Sequence, residues 1–225
     1  MEQCEVGVGG KSGRILAVSS KFDGFKRETL YEVRAQGVTP NRAIGSMKKA
    51  WMRCDYVHSL ASEYSKMRRQ IKDLKYSAKD IEAFSLELVA FQNEVGFIWK
   101  SGIFPSALIN NCDESSFVIH TDILVQPVDY IGYRNTKDIT VKGNANHCLG
   151  CRMKNGTITV RGNAGSFVGD EMKGGVIIVE GNTGSHAGSR MVGGEIHIFG
   201  NHMPVISSSF ITGKIFFNEE LVAYK

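Results

Sequence analysis

The residues best suited to chemistry are two cysteines separated by two positions. Cys148 and Cys151, with His147 beside them, have the spacing that zinc knuckles and redox motifs use. The chain supplies no second pair of this kind, so a four-ligand zinc site would need donors from another chain. Two interpretations stand: a metal or redox site that is completed elsewhere, and a surface pair without a chemical role.

Two other segments resemble catalytic motifs without meeting their requirements. Residues 7–12 end in the lysine-serine pair of a phosphate loop, but Glu5 stands where that motif needs a glycine five positions before Gly10. Residues 184–188 place Ser185 directly after a glycine, whereas a nucleophile elbow needs one residue between them. We expect residues 7–12 to form a surface turn and residues 184–188 to form a corner of the fold. We identify no catalytic residue.

The histidines add no catalytic pair that the sequence makes obvious. We expect surface or structural roles for all of them, since none has a carboxylate at a characteristic spacing. They are His58, His120, His186, His197 and His202, in addition to His147 beside the cysteines.

A 19-residue pattern, which starts at Gly143 and recurs at Gly162, Gly181 and Gly200, dominates the second half of the chain. The period is too short for pairs of helices, and each copy carries a β-branched run that alternates with period two. Each copy therefore predicts one coil of a parallel β-helix. The residues expected to point inward are Ile158 and Val160, Ile177 and Val179, Ile196 and Ile198, and Ile215 and Phe217.

Further columns appear when the copies are aligned. We expect the bore to be filled by Leu149, Val168 and Ala187 and by Met153, Met172, Met191 and Phe210. Gly150, Gly169 and Gly188 mark one corner, because glycine reaches positive φ at little cost. A predicted asparagine ladder contains Asn144, Asn163, Asn182 and Asn201, and a predicted ion ladder contains Arg152, Glu171 and Arg190. The same register predicts that Cys148 and Cys151 face outward.

The outward positions of the later coils are apolar, whereas those of the earlier coils are polar. Thr140, Lys142, Thr159 and Arg161 occupy the earlier positions. A contiguous apolar cluster on a surface is typical of a contact site, covered either by the chain's own helices or by another subunit. The predicted interface residues are Val176, Ile178, His197, Phe199 and Phe216.

The front half predicts helices. Apolar residues at spacings of three and four predict one long helix over about residues 40–74, and Ser77 with Asp80 predicts a capped start for a second helix over about 78–101. The two should form an antiparallel hairpin whose second helix is buried on two sides or in a subunit interface. Alternation around residues 4–8, 14–18 and 29–33 predicts short strands. We assign residues 1–115 to a mainly helical domain and 116–225 to the β-helix.

Composition favours a soluble cytoplasmic protein. The 225 residues contain no apolar run long enough to cross a membrane, and the first residues lack the order of a signal peptide. Five scattered cysteines favour reduced thiols. The net charge of +4 is too small to indicate a nucleic-acid partner by itself.

The glycine spacing of the two middle repeats closely resembles that of the GXGXG domain. The matching positions are Gly162, Gly165, Gly169, Met172, Gly174 and Gly175, and then Gly181, Gly184, Gly188, Met191, Gly193 and Gly194. This domain forms the C-terminal β-helix of the glutamate synthase large subunit, the body of one of the subunits of formylmethanofuran dehydrogenase, and stand-alone subunits of glutamate-synthase-like enzymes. The resemblance covers about residues 137–218 and leaves residues 1–115 unmatched.

The fold that follows is α+β: a helical hairpin region and then a short right-handed parallel β-helix of about four to five coils. The resemblance implies a scaffold between catalytic subunits, with no cofactor in this chain and with flavin or iron–sulfur clusters in its partners. An alternative is an interaction module of unrelated function that self-associates through the helical hairpin.

A third interpretation is nucleic-acid binding through the first helix, which is basic over residues 42–75. Its cations outnumber its three acids, Asp55, Glu63 and Asp73. The cations are Arg42, Lys48, Lys49, Arg53, Lys66, Arg68, Arg69, Lys72 and Lys75. Because basic helix faces are usually only solvated, this is the least favoured of the three interpretations.

Overall fold

The computed structural model describes residues 41–54, 59–201 and 205–225, where four α-helices precede a parallel β-helix of about five turns. This architecture confirms the predicted fold class. The short strands predicted before residue 39, the segment 7–12, His58 and His202 lie outside the described residues. In the described parts of the chain, no helix combines the length and the apolar character needed to cross a membrane.

The helices are shorter than the two that the sequence predicts. They are α1 (Arg42–Met52), α2 (Leu60–Ile71), α3 (Ala78–Glu87) and α4 (Phe97–Asn111), with a 3₁₀ turn at Leu88–Phe91. The predicted capping box at the start of α3 is confirmed, because the Ser77 side chain accepts from the Asp80 N–H and the Asp80 carboxylate accepts from the Ser77 N–H.

The prediction of one helix over 40–74 is wrong. Helix α1 ends at Met52, and α2 begins after Ser59, whose extended backbone and side-chain oxygen cap the new helix. The second predicted helix, over 78–101, is wrong as well, because Gly96 adopts a φ of 79° and starts α4 afresh. Val95, which lies inside the predicted second helix, is fully exposed at 101%. Within the described ranges, no hairpin of two long helices forms.

The strands form one large sheet and one small one. They are β1 (Ser116–His120), β2 (Asp138–Lys142), β3 (Thr157–Val160), β4 (Val176–Val179), β5 (Ser185–Ala187), β6 (Val192–Ile198), β7 (Val205–Ile206), β8 (Thr212–Phe217) and β9 (Glu220–Tyr224). The large sheet has the order β1-β2-β3-β4-β6-β8-β9, parallel except for β9, and β5 pairs with β7. The change from helices to strands thus falls at residue 116.

The stacking register of the coils is the predicted one. Ile139, Ile158, Ile177, Ile196 and Ile215 pair in succession along one line across the sheet. The bore columns that the sequence predicts are buried: Leu149, Val168 and Ala187, and Met153, Met172, Met191 and Phe210. Gly169 shows why the corner needs glycine, because its φ is 69° and a Cβ there would lie 2.7 Å from Ile196 Cδ1.

The first coil breaks the period, and the sequence did not reveal it as a complete coil. Strand β1 pairs with β2 at a step of 22 residues, from Ser116 to Asp138, instead of 19. Phe117, Ile119, Ile131 and Tyr133 continue the apolar bore into this coil. Gly132, at a φ of 73°, turns its corner in the same way as Gly150 in the next coil.

Helix α4 closes the end of the bore. Gly102 lies so close to the first coil that a Cβ would be 1.9 Å from the Asp129 carbonyl oxygen. Ser106 Oγ accepts hydrogen bonds from the Gly132 N–H at 2.9 Å and the Tyr133 N–H at 3.2 Å. Most of α4 is buried, including Phe104 and Leu108. The most apolar helix is therefore covered within the chain and caps the solenoid.

Helix α3 covers the free edge of the sheet. It packs along β1, and the Ser85 hydroxyl accepts from the His120 N–H at 3.0 Å. An unpaired strand edge would otherwise present its backbone groups to other chains. On the far side of α3, Trp51 packs against Phe84 and Phe104 and gives the helices an aromatic core. From residue 41 onward, the described residues belong to one compact unit.

Candidate functional site

The predicted interface residues lie together on the outer face of the sheet. Ile178 on β4, His197 on β6 and Phe216 on β8 pair in one row across three strands. The rings of His197 and Phe216 stack at 4.4 Å between centroids and 8° between planes. Phe199, two residues beyond His197, is 40% exposed. We call Val176, Ile178, His197, Phe199, Phe216 and Leu221 the outer face.

Strand β9 extends the outer face by one residue that sequence reasoning missed. Leu221 pairs with Phe216 in the antiparallel β8–β9 hairpin and is 44% exposed. The sequence signal for this hairpin is the two-residue turn Asn218–Glu219 between two apolar runs. Both turn residues have positive φ in the structure. The face therefore spans four neighbouring strands.

A charged row borders the apolar row. Glu195 on β6 accepts from Lys214 Nζ on β8 at 3.1 Å and lies 3.3 Å from His197 Nε2. The Lys214 ammonium and then the His197 ring lower the pKa of the Glu195 carboxyl group. On the opposite side of the apolar row, Arg161 pairs with Glu180 in the register of Phe199. An apolar centre with a polar rim is the usual composition of a protein–protein contact.

The helices of the described residues do not account for this cluster. Their main contact with the sheet is that of α3 with β1, which lies at the opposite edge from β8 and β9. The outer-face residues keep partial or full exposure in the described chain. Among the described residues, no helix therefore covers this face.

The two cysteines of the candidate metal site differ in exposure. Cys148 is half-buried, whereas Cys151 is buried, so the prediction that both face outward is wrong for Cys151. Its column contains the polar residues Asp170 and Ser189, which are buried too. Arg190 makes the burial of the Asp170 carboxylate possible, since it donates to both of its oxygens at 2.9 and 2.8 Å.

The surroundings of both thiols disfavour the thiolate form. Burial, and after it the charge of Asp170, raises the pKa of Cys151 to about 12. Burial raises the pKa of Cys148 to about 11. Metal ligation and thiol chemistry both need the thiolate. Among the described residues, no group of three or more His, Cys, Asp or Glu side chains is placed to hold a metal ion. Cys112, Cys148 and Cys151 are in no disulfide.

Both ladders hold neighbouring coils together. The side-chain oxygen of each asparagine accepts from the backbone N–H of the next one: Asn144 from Asn163, Asn163 from Asn182, and Asn182 from Asn201, each at 2.8 Å. In the ion ladder, Glu171 accepts from Arg152 Nε at 2.9 Å and lies 3.3 Å from Arg190. The members of each ladder bond to one another, so their role is structural.

Two histidines have acidic neighbours, contrary to expectation: His197 lies beside Glu195, and His120 lies near two carboxylates. His120 Nε2 lies 3.2 Å from Glu82 on α3, and its Nδ1 lies 3.5 Å from Asp122. Glu82 is distant in sequence and is brought close because α3 packs on β1, so spacing along the chain gave no signal. The cluster sits at the helix–sheet joint, where it fixes α3 to the edge strand.

Comparison with known proteins gives no relative for this chain. No protein family, no curated protein and no solved structure matches it.

Proposed function

We propose that this chain is a non-catalytic scaffold subunit of a multi-subunit oxidoreductase that resembles glutamate synthase or formylmethanofuran dehydrogenase. It would dock a partner subunit on the outer face. The observation that carries the proposal is the row of Ile178, His197 and Phe216, which stays only half-buried on a rigid sheet whose other edge is capped by α3. The glycine pattern of the coils supplies the resemblance to these enzymes, and flavin or iron–sulfur clusters would belong to the partners.

The docking step follows from the properties of this face. Its side chains project from hydrogen-bonded strands, so little conformational entropy is lost when they are covered. Phe199 and Phe216 supply aromatic anchors, and aromatic residues are enriched at the energetic centres of interfaces. The Glu195–Lys214 pair at the rim fixes the orientation of the partner more than it adds affinity.

The test compares wild type with a Phe199→Asp, Phe216→Asp variant in affinity purification from the native organism. We expect wild type to recover subunits with amidotransferase, flavin or iron–sulfur domains and the variant to lose them. Thr140→Asp is the matched control, because Thr140 lies in the row of Phe216 but on β2. Equal recovery by all three proteins, or no such subunit with wild type, contradicts the proposal.

Self-association through the helical region is a second candidate, and specific exposures favour it. Leu86, Val89, Val95 and Ile98 lie on or near the 3₁₀ turn and are all exposed. A Leu86→Asp, Val89→Asp variant tests it by light scattering over a range of concentrations. Self-association predicts that wild type is a dimer or larger and that the variant is a monomer. A monomeric wild type removes this candidate.

A further inference from the structure

Four cations converge on a groove between α2 and the first coil of the β-helix. Arg68, Arg69 and Lys72 come from the end of α2, and Arg134 comes from the coil. The groove has a volume of about 380 Å³, and no carboxylate is among the described residues that line it. Of the four cations, only Lys72 has an ion-pair partner in the described chain, the exposed Asp73 at 3.9 Å. The positive charge in the groove is therefore largely uncompensated.

Arg134 is held in place before any ligand binds. Its backbone is left-handed, with a φ of 55°. Its guanidinium carbon lies 5.8 Å from the ring centroid of Tyr64 and 5.5 Å from that of Tyr133. Asn110 fixes both tyrosines, since its Nδ2 donates to the Tyr64 hydroxyl at 3.0 Å and to the Tyr133 carbonyl at 3.1 Å. A guanidinium preorganised on aromatic rings loses little entropy when it binds an anion.

The arrangement suits a compact anion better than a long polyanion. Two of the cations elsewhere in this region are already engaged, since Lys48 pairs with Glu87 at 2.6 Å and Lys66 pairs with Glu63 at 2.9 Å. The break between α1 and α2 also divides the basic stretch that the sequence presents as one helix. What remains is a local cluster rather than a stripe that could follow a nucleic-acid backbone.

We propose that this groove binds the phosphate groups of a small polyphosphorylated ligand, such as a nucleoside diphosphate or triphosphate. Arginine forks bind phosphate through paired, charge-assisted hydrogen bonds, and Arg68, Arg69 and Arg134 present three of them. Ser65 and Asn111 line the same groove and add neutral polar groups. The volume lies within the range of small-molecule sites.

The test is calorimetric titration of the full chain with inorganic tripolyphosphate and with ATP. We expect both to bind, and we expect salt to weaken the binding because the contacts are partly exposed. Arg69→Gln, Lys72→Gln should weaken binding by roughly tenfold or more, since each charged contact contributes substantially. Lys49→Gln, Arg53→Gln removes the same charge from α1, outside the groove, and should bind as wild type does.

A further variant distinguishes a loss of binding from a loss of the folded structure. Arg134→Lys keeps the charge but loses the fork, so it should weaken binding several-fold while its melting temperature stays close to that of wild type. The inference is overturned if neither phosphate compound binds, or if the two double variants weaken binding equally. It is also overturned if a short single-stranded RNA binds while tripolyphosphate does not, since that outcome assigns the groove to nucleic acid.

Discussion

The helical cap (residues 42–111) and the regular coils (residues 138–217) are stabilised in different ways. Contacts in the cap occur once: Gly102 against Asp129, Ser106 on the first coil, and Trp51 among aromatic rings. Contacts in the coils recur with each turn, as in the asparagine ladder. A unique contact has no neighbour that repeats its role, whereas a ladder loses one rung and keeps the others. Single substitutions should therefore cost more in the cap.

The largest effect is expected at Gly102. A Cβ there would overlap the Asp129 carbonyl oxygen at 1.9 Å, and both partners are backbone-fixed, so Gly102→Ala should lower the free energy of unfolding by at least about 4 kcal/mol. Chemical denaturation measures this. The control is Gly45→Ala on the exposed side of α1, where nothing lies within 4 Å and a gain of about 0.5–1 kcal/mol is expected. Similar effects at both sites would contradict the close packing of α4.

The second-largest loss of stability is expected when Lys100, a buried charged residue of the cap, loses its partner. Lys100 is buried beside the ring of Trp51, and Glu94 accepts from its Nζ at 3.2 Å and from Trp51 Nε1 at 2.8 Å. Glu94→Gln keeps the tryptophan bond but leaves the ammonium without its counter-charge, so it should cost about 2 kcal/mol. The double variant Glu94→Gln, Lys100→Met should recover most of that loss. A double variant less stable than the single one would refute this explanation.

A smaller effect is expected for one rung of the asparagine ladder. Asn163→Ala removes the acceptor of the Asn182 N–H, which water can then reach, so the cost should be about 1 kcal/mol. Asn155→Ala is the control, since this exposed side chain makes no described hydrogen bond, and it should change stability little. A loss of several kcal/mol at Asn163 would show that the ladder fails as a whole, and would remove the contrast with the cap.

The smallest effect is expected in the ion ladder, and it depends on pH. Hydrogen bonds from Arg152 lower the pKa of Glu171 below its usual 4.5, so the folded chain binds fewer protons there than the unfolded chain. The stabilisation from the Arg152–Glu171 interaction is therefore complete above the usual pKa of 4.5. It is lost as the pH falls through the lowered pKa of Glu171. Glu171→Gln should cost about 0.5 kcal/mol at pH 7 and nothing at low pH. A difference between Glu171→Gln and wild type that stays constant over this pH range would contradict the assignment.

The same contrast explains how far the sequence predicts the structure. Each coil repeats one environment, so aligning the copies predicts that Leu149 and Val168 stack in the bore. The same alignment predicts that Ile178 of the outer face lies beside Thr159 of the preceding coil. The cap has no such repetition. Apolar spacing continues across Ser59 and Gly96, where local backbone geometry ends the helices. The insertion in the first coil hides Gly132 from any search at a fixed period.

The candidate site was predictable to the same extent. The outer face follows from alternation in the repeats, and only Leu221 was missed, because the β9 hairpin lies outside them. The burial of Cys151 was not predictable, since its column contains the polar Asp170, whose burial depends on Arg190. The basic groove was hidden because Arg134 and α2 meet only in the folded chain.

The central claim is that the outer face binds a different protein, and site-specific photo-crosslinking tests it most directly. A photoreactive amino acid replaces Phe199 on the outer face in one variant and the fully exposed Val95 of the cap in another. After irradiation in the native organism, mass spectrometry identifies the crosslinked chains. We predict crosslinks from position 199 to an amidotransferase, flavin or iron–sulfur subunit. No crosslink at 199, or crosslinks only between copies of this chain at 95, would contradict the account.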